Sequence, residues 1–229
     1  MRKGAVGIRM LWLLPPLLLL FLFVSGTASA ADKTHLKILA MGDSTTAGTP
    51  GFYSPAEKPP DGEGDRTSQY AYWILRGHPD WTVYNRGVRG QRADQIFSRY
   101  RREAASYPAY VIVVLAGVND LYQGYPVEHV EAYLERIYDF AQSQNVPVMV
   151  CTILPYNIST AEVRRRMARV NEWIRHTAQA RGFLFCDTYK VLEDPARPGD
   201  LLASPDGIHP DPDGYRKMGE AIAKVLEEW

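Results

Sequence analysis

The chain reads as an α/β sandwich around a parallel sheet. Three observations carry that reading. Five short apolar runs recur along the chain, amphipathic helical patterns separate them, and hydrophobicity inside the runs is nearly continuous rather than alternating. Strands buried on both faces of a parallel sheet have that texture, and strand–helix alternation puts helices over both faces.

The first run is Leu36–Met41. An irregular stretch rich in Pro and Gly follows at Thr49–Arg66, long enough to serve as a lid or binding loop. A short helix is expected from about Thr67-Ser68 to just before Gly77-His78-Pro79. The second run is Trp81–Tyr84, and Gln91–Ser106 then shows an apolar stripe of Ala93, Ile96, Phe97, Tyr100 and Ala104. The third run, Tyr110–Leu115, precedes a helix over Val127–Gln144 with Val130, Leu134, Ile137, Tyr138 and Ala141 inward. After the fourth run, Val146–Ile153, the helix of Thr160–Arg181 opens on a capping box, Ser159-Thr160-Ala161-Glu162, and stops at Gly182. Its inward residues are Val163, Met167, Val170, Ile174 and Ala178. The fifth run is Phe183–Cys186, and a last helix covers Asp213 to about Glu228 with Tyr215, Met218, Ile222 and Val225 inward.

Composition excludes several classes. With 46% apolar and 23% charged residues, the chain is neither disordered nor collagenous, and two cysteines do not make a disulfide scaffold. Basic and acidic residues balance at 26 each, so no footprint for nucleic acid is expected. Three of the basic residues, Arg2, Lys3 and Arg9, sit in the first thirty positions without an acid, which leaves 23 against 26 beyond them. Met10–Val24 follows without a charged or polar side chain, and Ala28-Ser29-Ala30 has the small-x-small form of a signal-peptidase site. Residues 1–30 are therefore expected to be an export signal cut after Ala30, leaving 31–229 as one domain that is secreted or extracytoplasmic. The rival is an uncleaved anchor. The apolar run is shorter than the roughly 20 residues of a spanning helix, and Pro15-Pro16 interrupts it, although the charge-free stretch reaches Ala31. After cleavage no stable membrane insertion is expected. Nothing in the sequence speaks to oligomeric state.

Four segments carry the chemistry. Met41-Gly42-Asp43-Ser44-Thr45-Thr46-Ala47-Gly48 follows the first run. Asn85-Arg86-Gly87-Val88-Arg89-Gly90 follows the second, and Gly117-Val118-Asn119-Asp120 the third. Asp206-Gly207-Ile208-His209 lies beyond the fifth and before the last helix. Ligands bind at the carboxyl edge of an open parallel sheet, so four distant segments are expected to meet in one crevice. Their residue types fit one reaction. A serine hydroxyl needs a base to take its proton, His209 is the natural base, and Asp206 three residues earlier can orient the imidazole. Acyl transfer also needs hydrogen-bond donors for a developing oxyanion, which glycine-turn amides and an asparagine side chain supply.

The four segments, in this order, resemble the blocks of the SGNH (GDSL-type) hydrolase superfamily across essentially all of 31–229. The resemblance implies a flavodoxin-like three-layer α/β/α sandwich with a five-stranded parallel sheet. It implies Ser44 as nucleophile, Asp206 and His209 completing a triad, and oxyanion donors from the Ser44 amide, the Gly90 amide and the Asn119 side chain. It implies hydrolysis of carboxylic esters, thioesters or sugar acetates with no metal or other cofactor, on a small-molecule ester. Thr45 stands where the family name implies leucine. Gly-x-Ser-x-Gly is absent around Ser44, which argues against the α/β-hydrolase fold. Because His209 must be neutral to act, an acid limb is expected near the reference histidine value of about 6.5, displaced by Asp206.

Other readings stay open. Asp43, Asp120, Asp206 and His209 could serve a metal-dependent phosphoesterase, though that leaves Gly90 and Asn119 without a task. A carbohydrate-binding protein that kept the fold would have no use for Ser44, Asp206 and His209 together. Asp43 and Asp120 otherwise brace their loops. Phe52, Tyr53, Tyr70, Tyr72 and Trp73 could line an acyl or sugar pocket, with core packing as the alternative for Trp73. Arg164, Arg165, Arg166 and Arg169 read as a solvated face. His35, His78, His129 and His176 receive no role. Cys151 and Cys186 fall on neighbouring strands, where disulfide geometry is seldom met, so two buried thiols are expected.

Overall fold

In the computed structural model the chain divides into Met1–Ala31 and Asp32–Trp229. The structure describes Met1 and residues 33–229, so the expected export signal lies outside the described residues. Among the described residues no helix is long and apolar enough to cross a membrane.

After a 3-10 turn at Lys33–His35 the elements run β1 (Lys37–Gly42), α1 (Ser44–Ala47), β2 (Phe52–Tyr53), β3 (Glu63–Gly64), α2 (Tyr70–Gly77), β4 (Thr82–Gly87) and α3 (Ala93–Glu103). They continue as β5 (Val111–Leu115), α4 (Val118–Tyr122), α5 (Val127–Ser143), β6 (Val148–Cys151), α6 (Ala161–Arg181), β7 (Leu184–Cys186), α7 (Thr188–Leu192) and α8 (Pro212–Glu228). The main sheet has the order β4-β1-β5-β6-β7, and every pair in it is parallel. This is the five-stranded α/β/α arrangement the sequence implies.

Alternate strand residues feed two cores. Leu39, Met41, Ile112, Val114, Val148 and Val150 pack with α3, α5 and α6 through Ile96, Leu134, Ile137 and Val170. Ile38, Ala40, Val111, Val113 and Met149 pack on the other face with α2 and α8 through Tyr70, Ile74, Tyr215, Met218 and Ile222. Burial on both faces is why the runs show no alternation. Cys151 stands opposite Cys186 in the β6–β7 register, and both are buried free thiols.

Several details depart from the sequence reading. Thr160, not Ser159, caps α6 by accepting from the Val163 amide, while the Ser159 hydroxyl donates to the Tyr156 carbonyl. The capping box therefore does not form: its register is one residue off. At the end of α8 it is Leu226 that is fully buried, with Val225 half-buried. The stretch 49–66 carries the small antiparallel β2–β3 hairpin, and the short helices α1, α4 and α7 were too brief to leave a periodic signal.

β1 and β4 end together, Gly42 opposite Gly87. A side chain at Gly87 would place its Cβ 2.0 Å from the Ala47 amide nitrogen, so α1 can lie against β4 only because this position is bare. Gly87→Ala should therefore lower thermal stability by roughly 3–10 °C through forced backbone movement. A melting curve matching the parent protein would refute this close approach.

Candidate active site

The turn from β1 into α1 presents Ser44. Asp43 caps α1, its carboxylate accepting from the Thr45 amide at 2.9 Å. Ser44 is buried to 7% exposure with its hydroxyl at the carboxyl edge of the sheet. The segment before α8 comes back to the same edge. There the Asp206 side chain organises its own turn: Oδ1 accepts from the amides of Ile208 at 2.9 Å and His209 at 2.8 Å. Oδ2 lies 2.7 Å from His209 Nδ1, and His209 Nε2 lies 2.8 Å from Ser44 Oγ. Ser204 Oγ donates to the His209 carbonyl, and the Asn157 amide donates to the Gly207 carbonyl, which pins this loop to the segment after β6. Serine, imidazole and carboxylate thus form one hydrogen-bonded chain across 165 positions of sequence between Ser44 and His209.

The charges suit that chain. Partial burial pushes the Asp206 carboxyl up, but the hydrogen bonds from the His209 ring and from the His209 and Ile208 amides outweigh it and hold the group below its ordinary value. Asp206 is therefore an anion wherever an imidazolium could form.

Gly90 and Asn119 reach the same place. Gly90 has φ +71° with open space where a Cβ would stand, so glycine is required there by backbone conformation and not by crowding. Asn119 Nδ2 spends one hydrogen on the Gln91 carbonyl at 2.9 Å and keeps the other. A cavity of about 230 Å³ is lined by Ser44, Gly90, Asn119 and His209 together with Val118, Ile208, Tyr122 and Tyr156. The aromatics expected from the loop and α2 are not on it. Tyr70 is fully buried against α8, Phe52 is buried within the hairpin with its ring at Gly62, and Trp73 donates to the Thr67 carbonyl at its own edge of the core. Tyr122 and Tyr156 supply the aromatic surface instead.

Arg99 is the residue sequence reasoning missed. Only 4% exposed, it donates from Nη2 to the Gly42 carbonyl at 2.9 Å and from Nε to Gln91 Oε1 at 2.8 Å, and Nη1 reaches the Arg86 carbonyl. Burial lowers its pKa to about 10, with Glu103 pulling the other way, so it stays charged. A signal was available: Arg99 follows Ile96 by three positions, inside the apolar stripe of α3.

The four residues weighed as a metal set are not gathered as one. Asp206 and His209 bind each other, and Asp43 is committed to Thr45. Among the described residues the converging donors are Asp94, Asp120 and His129, whose ligand atoms lie within 4.8 Å of one another. Asp120 Oδ2 accepts from the Ala93 amide at 2.9 Å, which ties the segment after β5 to the start of α3. Its other oxygen faces His129 Nε2 at 3.4 Å, so His129 has a buried acidic neighbour rather than a plain surface setting. Arg92 places Nε 3.1 Å and Nη2 3.2 Å from the Asp94 carboxylate, so positive charge already stands at this cluster. In the basic run on α6, Arg164 pairs with Asp200, Arg165 with Glu162 and Arg169 with Glu128.

A family model described as GDSL-like lipase/acylhydrolase matches residues 40–217. No curated protein sequence matches the chain. Solved structures do. A lipolytic protein of the G-D-S-L family from Desulfitobacterium hafniense is 22% identical, with a TM-score of 0.69 over 83% of this chain and 99% of that one. A member of the same lipolytic family from Veillonella parvula is 19% identical, with a TM-score of 0.70 over 84% and 99%. A catalytic mutant of an acetylxylan esterase from Geobacillus stearothermophilus is 17% identical, with a TM-score of 0.66 over 83% and 94%. At such identities the likeness is one of fold.

Asp43 makes a measurable prediction. Burial pushes its carboxyl up to about 7, the Asp120 charge adds to the rise, and the Thr45 amide and Arg99 oppose it. The native state then keeps a proton that the unfolded chain releases near the ordinary carboxylate value. Stability from this group is therefore present at low pH and declines as pH rises through about 4 to 7. Asp43→Asn retains an oxygen for Thr45 and removes the titration. Its melting temperature should fall less than that of the parent between pH 5 and pH 8, by roughly 5 °C. Parallel curves for the two proteins would contradict the buried acid.

Proposed function

Because the chain belongs to the GDSL-like lipase/acylhydrolase family, we propose that it is an exported serine esterase that splits carboxylic esters through an acyl-enzyme on Ser44. One observation carries this reading: the continuous hydrogen-bonded chain from Asp206 through His209 to Ser44, opening on a cavity with unspent donors. The export part rests on the basic, apolar and small-residue pattern of residues 1–30.

The ester carbonyl carbon sits over Ser44 Oγ, with its oxygen toward the Ser44 and Gly90 amides and the free Asn119 Nδ2 hydrogen. Among the described residues those two amides donate to no other group. Ser44 Oγ attacks as His209 Nε2 takes its proton, and the charge that develops on the carbonyl oxygen is met by the three donors. Such preorganised donors are worth roughly 10²–10³ in turnover each. Asp206 stabilises the imidazolium and fixes its tautomer. The C–O bond to the alcohol breaks, and His209 hands that oxygen the proton. A water molecule then attacks the acyl-enzyme, giving its proton to His209, which returns one to Ser44 Oγ as the acid leaves.

Two measurements test this. Ser44→Ala should lose roughly 10³-fold or more of kcat on a small aryl ester while its circular dichroism and melting match the parent. Retention of activity within a few-fold would sink the assignment. Second, His209→Gln should lose a comparable factor of kcat, since it removes the base hydrogen-bonded to Ser44 Oγ. Activity of that variant within a few-fold of the parent is incompatible with His209 as base.

A further inference from the structure

The cavity beside Ser44 is lined by one side chain of permanent charge, Arg89, and by no carboxylate. Arg89 stands between Val88 and Gly90 in the segment that supplies an expected oxyanion donor. Its guanidinium is held on three sides. Nε donates to Thr49 Oγ1 at 2.9 Å, Nη2 donates to the Phe52 carbonyl at 2.7 Å, and Cζ lies 3.4 Å from the Tyr53 ring centroid. The nearest acid along the loop, Glu57, is spent on backbone: it accepts from the Arg89 amide at 2.9 Å and the Ser54 amide at 3.1 Å. Among the described residues no carboxylate forms an ion pair with Arg89.

Two of the five guanidinium hydrogens are therefore used and three are left, both on Nη1 and one on Nη2. A fixed planar fork with unspent donors matches a carboxylate or phosphate and loses little entropy on binding one. The buried Tyr156, with the half-buried Val118 and Ile208, lowers the local dielectric on its side of the cavity and strengthens that attraction.

We propose that Arg89 makes this crevice selective for esters bearing an anionic group, a carboxylate or a phosphate, close to the scissile carbonyl. This rests on the esterase reading above and names the substrate class for the same site. The simpler role, a brace for the loop 49–66, uses only the bonds to Thr49, Phe52 and Tyr53 and predicts no preference for charge.

Two matched pairs of aryl esters separate the roles. Phenyl hemisuccinate against phenyl butyrate places the anion on the acyl side. 3-Acetoxybenzoate against methyl 3-acetoxybenzoate places it on the alcohol side. Within a pair the reacting bond is alike, so the ratio of kcat/KM cancels losses common to both members. The parent protein should favour the anionic member of at least one pair by roughly tenfold to a hundredfold, as a charge-assisted hydrogen bond allows. The preference should shrink with added salt and appear mainly in KM. Arg89→Gln should bring the ratio toward one, and Arg89→Lys should keep part of it. No preference in either pair, or a ratio unchanged in Arg89→Gln, overturns the proposal. Should Arg89→Gln not fold, the salt titration of the parent decides, and a salt-independent ratio overturns it. Turnover of none of the four esters overturns the esterase reading itself, and this inference with it.

Discussion

At the carboxyl edge of the sheet a buried guanidinium ties the ends of two strands together, sharing the Gly42 carbonyl with the Val88 amide. Arg99 enters from α3 and binds the last carbonyl of β1 at Gly42, the Arg86 carbonyl of β4, and the Gln91 side chain. Gln91 in turn accepts from Asn119 through its own carbonyl. One side chain thereby locks together the segments that carry Ser44, Gly90 and Asn119. A charge this deep is costly unless every donor finds an acceptor. Here two of the acceptors are main-chain carbonyls, whose positions the sheet itself fixes, and Gln91 Oε1 and Met41 Sδ take the other bonds.

The fourth segment is organised differently. Asp206 acts on its own turn and on the imidazole at once, one oxygen holding two amides and the other facing Nδ1. A spacing of three residues makes this possible, because a turn brings the side chain of the first residue back over the amides of the third and fourth. Loop shape and ring orientation are thus the same interaction. Asp43 plays the parallel part at the start of α1, but fully buried and beside Asp120, so its carboxyl is pushed toward the neutral form while that of Asp206 stays ionised.

The stretch 49–66 is less free than its composition suggests. Ser54 donates to the Gly87 carbonyl, Tyr215 of α8 donates to the Thr49 carbonyl at 2.6 Å, and Arg89 grips Thr49 and Phe52. It is anchored to β4 on one side and α8 on the other. Thr49 and Arg89, two members of this anchoring, line the cavity beside Ser44.

The five strands, the long helices and the Ser44–His209–Asp206 set were legible in the chain alone. Burial on both faces leaves continuous apolar runs, helices leave a stripe every three to four residues, and the Asp206–His209 pairing is local. Other features needed the third dimension. Sequence periodicity marks which side of a helix is buried, but not that Arg99 of α3 would be aimed at two strand ends. Aromatic content marks rings in the loop and α2, but the path of the chain after β5 and β6 brings Tyr122 and Tyr156 to the cavity instead. Even the cap of α6 was settled by one residue of register. Signals that arise within one element are written in its own sequence. Signals that arise where elements meet depend on strand order and loop path, and those exist only once the sheet has formed.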